Sequence, residues 1–244
     1  MKRGKFWAGT LECLPGVHVG QIVFCAMVLA SGPSTAQSVR PDCDWPHGGR
    51  TAVDYLGDKN QYLGVERVHF TPQVEELIKG QTSQNIGADI AYLLGRVPNH
   101  HRALLSLARL AERVKSDSIE GTAGKVDCYF QRALRFRPND NTVRLIFATF
   151  LGKTSREQEA SQQLETAAAA ANDNPFTHYN IGLVYFDLKN YDRALTQARI
   201  AYKLGFGLPN LRDQLKSVGR WPEQSESSAN GEMSGTVAAP APSK

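Results

Sequence analysis

The chain has 244 residues, 41% of them hydrophobic, and a formal charge of +4. That length supplies one sizeable domain or two small ones, with enough apolar residues for a real core. Lys2, Arg3 and Lys5 against Glu12 carry half of the excess charge, so the remainder is near neutral and lacks the basic bias of a dedicated nucleic-acid binder.

The first element is a secretory pattern. The positive start is followed by an apolar run from Val17 to Ala30 that includes "IVFCAMVLA", then by the small and polar residues "SGPSTA". Ser34 and Ala36 satisfy the small-residue rule for cleavage after Ala36, so residues 1–36 are expected to be a signal peptide and the mature chain periplasmic or secreted. The apolar run is shorter than the ~20 residues of a membrane span, and no stable span is expected once it is cleaved. An uncleaved anchor is the other reading of the same pattern. Cys25 follows "IVF" rather than small residues, so a lipoprotein signal is not expected. Cleavage removes Cys13 and Cys25 and leaves Cys43 and Cys128. In an oxidising compartment that pair invites a disulfide, although the sequence equally allows two free thiols.

Residues 37–70 read as an irregular segment. "PDCDWPHGG" clusters turn formers, and Asp42, Asp44 and His47 lack the ligand spacing of known metal loops. "QYLGVERVHF" reads as a strand or short extended segment. In "FTPQVEELI", Thr71 is placed to cap a helix with Pro72 in its first position, and Val74, Leu77 and Ile78 form the apolar face. "NIGADIAYLLGRVPNH" predicts a second helix ending near Gly95. The paired His100 and His101 are weighed as a metal site with Asp89 or His69. They fail because adjacent helical residues point ~100° apart.

From residue 98 onward small residues recur in step. Gly182 lies 34 residues after Ala148, Ala194 lies 34 after Ala160, and Ala133, Ala167 and Ala201 are spaced by 34. Glycine inside a helix costs about 1 kcal/mol relative to alanine, so Gly182 needs a compensating contact. Two helices of a hairpin meet closely only where small side chains face each other, which places Gly182 near Ala194. A third unit lies upstream in "ALLSLARLAERV" and "CYFQRALRFRPND", with Ala108 and Ala133 in phase. Its surplus of six residues falls in the polar "VKSDSIEGTAGK". Beyond the last unit, Leu208, Leu211, Leu215 and Val218 predict a capping helix, with Trp221 beside it. Residues 221–244 are expected to be a disordered tail.

These residues resemble the tetratricopeptide repeat family, whose 34-residue unit carries small residues near positions 8, 20 and 27. The resemblance covers roughly residues 98 to 207 and implies an all-α helical-hairpin solenoid. It would have about three clear repeats, a degenerate N-terminal repeat and a C-terminal capping helix, within residues 71–220. Ala198 and Phe206 depart from the family's usual aromatic and proline. In that family certain first-helix positions line a concave groove. Here they fall on Arg102, Leu105, Arg109, Glu112 and Arg113; on Thr142, Leu145, Thr149 and Lys153; and on Phe176, Tyr179, Leu183, Phe186 and Asp187. One end is then basic and the other aromatic, which suits a peptide with acidic and apolar groups. Tyr179 and Leu183 stand where chaperone-tail binders carry lysine and asparagine, so that specificity is not expected.

The sequence contains no phosphate-binding glycine loop, G-x-S-x-G, H-E-x-x-H or C-x-x-C. A non-enzymatic envelope scaffold that binds a protein or peptide, without cofactor, metal or nucleic acid, is therefore the leading expectation. The alternative is an accessory subunit of an envelope hydrolase or export system with a site near the N-terminal segment.

Overall fold

Helix begins earlier in the chain than its composition suggests. In "QYLGVERVHF" the β-branched Val65 and Val68 favour an extended reading, yet Tyr62, Glu66 and Phe70 recur every fourth residue, and all three are buried. That spacing prevails: α1 spans Leu63–His69, after a 3-10 turn at Lys59–Gln61. The computed structural model describes Cys43 and residues 51–222. The expected signal peptide, the turn residues Asp42, Asp44 and His47, and the expected tail beyond Pro222 lie outside the described residues.

Thr71 and Pro72 open α2 as expected, but it lasts only from Pro72 to Glu75. Leu77 takes a left-handed backbone (φ 61°) and turns the chain, so Val74 and Leu77 are buried while Ile78, expected on the same face, is exposed. Seven longer helices follow: α3 (Ile86–Arg96), α4 (His101–Val114), α5 (Val126–Phe136), α6 (Asn141–Lys153), α7 (Glu157–Ala169), α8 (Pro175–Asp187) and α9 (Tyr191–Lys203). The last is the short α10 (Asn210–Ser217). The described residues contain no strand.

The starts and ends of α4, α6 and α8 repeat in kind. His100, Asp140 and Asn174 each cap the following helix by accepting a hydrogen bond from a backbone N–H three residues on. Lys115, Ser155 and Lys189 close the same helices in the left-handed conformation. Adjacent helices pack as pairs, most extensively α6 on α7 and α8 on α9. The helix α4 also touches α6, and α6 touches α8, while α10 covers both α8 and α9. One apolar core runs without interruption from Val53 to Leu215.

The small residues that recur in the sequence all lie in this core. Ala108, Ala133, Ala148, Ala160, Ala167, Gly182, Ala194 and Ala201 are buried. At Gly182 a Cβ would stand 2.6 Å from Leu211 Cδ2 and 3.4 Å from the Ala194 carbonyl oxygen. The close approach of α9 and the seating of α10 thus supply the compensation that a helical glycine needs. Leu211 and Leu215 are the buried face of α10, whereas Leu208 and Val218 remain exposed. Trp221 meets the Tyr202 ring edge-on at 5.7 Å.

Cys43 and Cys128 form a disulfide that closes a separation of 85 residues, and the Arg135 guanidinium donates to the Cys43 carbonyl. The chain N-terminal to the helices is thereby tied to α5. No helix among the described residues is long and apolar enough to cross a membrane.

Candidate functional site

The residues expected to line a groove sit on α4, α6 and α8, and their neighbours divide them into occupied and open positions. At the basic end, Arg102 is already engaged. Its guanidinium donates to Glu75 through two nitrogens and to Glu66 Oε1 at 3.0 Å, and it lies over the Phe70 ring. Hydrogen bonding to Glu75 raises its pKa further. Arg113 donates to the Leu77 carbonyl at 2.6 Å, and Ser106 donates to the Glu75 carbonyl. The segment from α1 through Leu77 therefore occupies this face of α4. Arg109, two helical turns from Arg102 and one from Arg113, is exposed and has no hydrogen-bond or ion-pair partner among the described residues.

At the other end Tyr179 is only 5% exposed, its ring stacked on Phe206 at 4.2 Å. It is a core residue, not an open groove residue, because Phe206 folds back over it. Phe176 remains 62% exposed, with Phe206 as its aromatic neighbour. Phe186 is half-buried against Tyr191. Between the two ends, Leu105, Leu145, Thr149 and Leu183 are half-buried and Thr142 is exposed. The Thr149 hydroxyl bonds back to the Leu145 carbonyl, and Lys153 pairs with Glu112 across α4 and α6. Burial raises the pKa of Asp187, and Lys153 opposes that shift. Leu105, Leu145 and Leu183 thus stay half-buried on α4, α6 and α8, while Arg109 and Phe176 are exposed.

The histidines are brought into different company than sequence spacing suggests. His69 does meet Asp89, with Nδ1 3.0 Å from Oδ1, and its ring stacks on Tyr92 at 4.0 Å. The Asp89 carboxylate is also the acceptor for the Thr82 hydroxyl and for the Gln81 and Thr82 backbone N–H groups. Burial pushes its pKa up, but these hydrogen bonds outweigh that and hold it below the usual range. Asp89 is accounted for as the anchor of the loop between α2 and α3. His101 bonds the buried Asp140, which also accepts from Asn99 and caps α6. No group of three or more potential metal ligands occurs among the described residues.

His100, weighed in the sequence as a metal ligand, is instead a buried helix cap. It is fully buried, and its Nδ1 accepts from the Ala103 N–H at 3.1 Å. Nε2 therefore carries the proton of the neutral ring. Burial, with Arg102 and His101 nearby, holds its pKa down at about 3. The available signal was positional, since His100 occupies the capping place that Asp140 and Asn174 fill in the later units.

A depression of about 470 Å³ between the C-terminal ends of α4 and α6 is lined by Glu112, Lys115, Asp117, Phe150, Lys153 and Thr154. Its lining includes lysines and carboxylates but no histidine or cysteine. Comparison with protein-family models, curated proteins and solved structures finds no match to the chain.

Proposed function

We propose that the chain is an exported, non-catalytic repeat protein of the tetratricopeptide type. It docks a protein or peptide on the face shared by α4, α6 and α8. The observation that carries this reading is the succession of packed helix pairs with equivalent caps and left-handed ends. In that succession, Leu105, Leu145 and Leu183 fall on consecutive first helices and stay half-buried. The Cys43–Cys128 disulfide supports an oxidising compartment, and with the N-terminal secretory pattern it favours the cell envelope or the exterior. The engagement of Arg102 and Arg113 and the burial of Tyr179 move the proposed contact toward the middle of the face. There the ligand chemistry is apolar side chains with an acidic group for Arg109.

The test is affinity capture from an envelope fraction with wild type, Arg109→Glu and the control Arg199→Glu, which alters an exposed residue of α9. The reading expects partners recovered by wild type and Arg199→Glu to be lost from Arg109→Glu. Identical recovery by all three overturns it.

A further inference from the structure

We propose that residues 51–78 form a tethered flap over α4, and that protonation of His100 drives its opening. The flap buries Val53, Tyr62, Phe70, Val74 and Leu77 in the core, is tied to the α3 side by Val53 to Arg96 and His69 to Asp89, and meets α4 through polar groups. Glu66 and Glu75 hold Arg102, the Glu75 carbonyl accepts from Ser106, and the Leu77 carbonyl accepts from Arg113. It is tied at both ends, by the disulfide from Cys43 to α5 and by the chain entering α3. It can therefore lift without leaving the molecule. Its own secondary structure is slight, with the seven-residue α1 and the four-residue α2, and Leu77 adds a left-handed backbone that a branched side chain disfavours. Immediately beyond, Gly80 leaves no room for a side chain against the Ser83 carbonyl.

His100 lies where the flap meets α4. Three flap rings surround it: Tyr55 at 4.3 Å, Phe70 at 5.3 Å and Tyr62 at 6.0 Å between centroids. The neutral ring suits this place, because Nδ1 is needed as an acceptor for the Ala103 N–H. A proton on Nδ1 removes the cap of α4 and puts a cation inside the aromatic enclosure. The charged and titratable groups facing it are Tyr55, Lys59, Tyr62 and Glu66 of the flap, and His101 and Arg102 of α4; Glu75 reaches it only through Arg102. Among the near groups Glu66 favours the cation as an anion, and the ring faces of Tyr55, Phe70 and Tyr62 attract it more weakly. Glu66 lies 3.8 Å from Nε2 with Oε1, the oxygen already bonded to Arg102. Lys59, His101 and Arg102 oppose the added charge.

Lifting the flap returns His100 to water, where its ordinary pKa is about 6.5 against about 3 when closed. Each proton taken up in the open state therefore favours opening. Linkage between these two values raises the opening equilibrium about 30-fold from pH 7.5 to pH 5.0.

Native-state amide hydrogen exchange on the full disulfide-bonded chain tests this, with intrinsic rates corrected at each pH. The Glu66, Phe70 and Ala103 amides, bonded to Tyr62, Glu66 and His100 respectively, report the flap and the cap. The α8 and α9 amides are the internal reference. In wild type the three reporters are expected to lose about 30-fold protection at the lower pH relative to the reference. In His100→Asn, which keeps a capping acceptor but does not titrate, the loss is expected to vanish. The proposal is overturned if wild-type protection at the reporters follows the α8 and α9 amides at both pH values. It is equally overturned if His100→Asn shows the same local loss as wild type. The wild-type comparison decides by itself should the variant fold poorly.

Discussion

Replacing Gly182 with alanine sets two opposed terms against each other. Alanine is favoured over glycine by about 1 kcal/mol in a helix interior. Its Cβ would stand 2.6 Å from Leu211 Cδ2, with the Ala194 carbonyl oxygen and the Ala198 nitrogen at 3.4 and 3.5 Å. Overpacking of this kind costs about 1–3 kcal/mol, so Gly182→Ala is expected to destabilise by anywhere from about zero to 2 kcal/mol. Leu211 is fully buried, and Leu211→Ala alone is expected to cost about 2–5 kcal/mol. In that background the Cδ2 atom is gone. The propensity gain then acts alone, so Gly182→Ala becomes stabilising by up to about 1 kcal/mol. Urea unfolding of the four proteins, followed by far-ultraviolet circular dichroism, closes a double-mutant cycle with an expected coupling of about 1–3 kcal/mol. A coupling below about 0.5 kcal/mol would refute the claim that Gly182 is small because α10 seats against it.

Three further outcomes are expected. Replacing Cys43 and Cys128 by serine releases a loop of 85 residues, and the chain-entropy argument sets the loss near 4–5 kcal/mol; chemical denaturation reads it, and an unchanged midpoint contradicts it. Lys189 has φ 59°, so Lys189→Gly is expected to stabilise by about 0.5–1 kcal/mol in the same assay, and a loss of stability contradicts the strain argument. Hydrogen bonds hold the Asp89 and Asp140 carboxyls below the usual range against the upward push of burial. Their contribution is whole above an unfolded pKa of about 3.9 and is lost as pH falls through the lower folded values, so Asp89→Asn should flatten the acid limb of the stability curve. An acid limb identical to that of wild type would count against this assignment.

The helical pairs were legible because their signal is local and periodic. Gly182, Ala194 and Ala201 repeat the spacing of Ala148, Ala160 and Ala167, and close helix packing requires small residues at those places. The capping leucines Leu211 and Leu215 were visible for the same reason. The candidate face was less legible because exposure depends on residues far away in the chain. Arg102 meets Glu66 across 36 positions, with no local sign of the pairing. Tyr179 is covered by Phe206, which sequence comparison within the repeat marks only as a departure from proline. In α1 the two valines concealed a spacing of four that Tyr62, Glu66 and Phe70 carried openly. Spacing along the chain also separated His69 from Asp89, which α1 and α3 bring together by packing on one another.

The proposed docking face on α4, α6 and α8 is tested most directly by site-specific photo-crosslinking in cells that produce the protein. A photoreactive residue is placed singly at Arg109, Thr149 and Leu183, and at Gln162 and Arg199 on α7 and α9. Adducts of one common partner from the first three positions, and none from the last two, are the predicted result. Adducts confined to Gln162 and Arg199 would contradict the account.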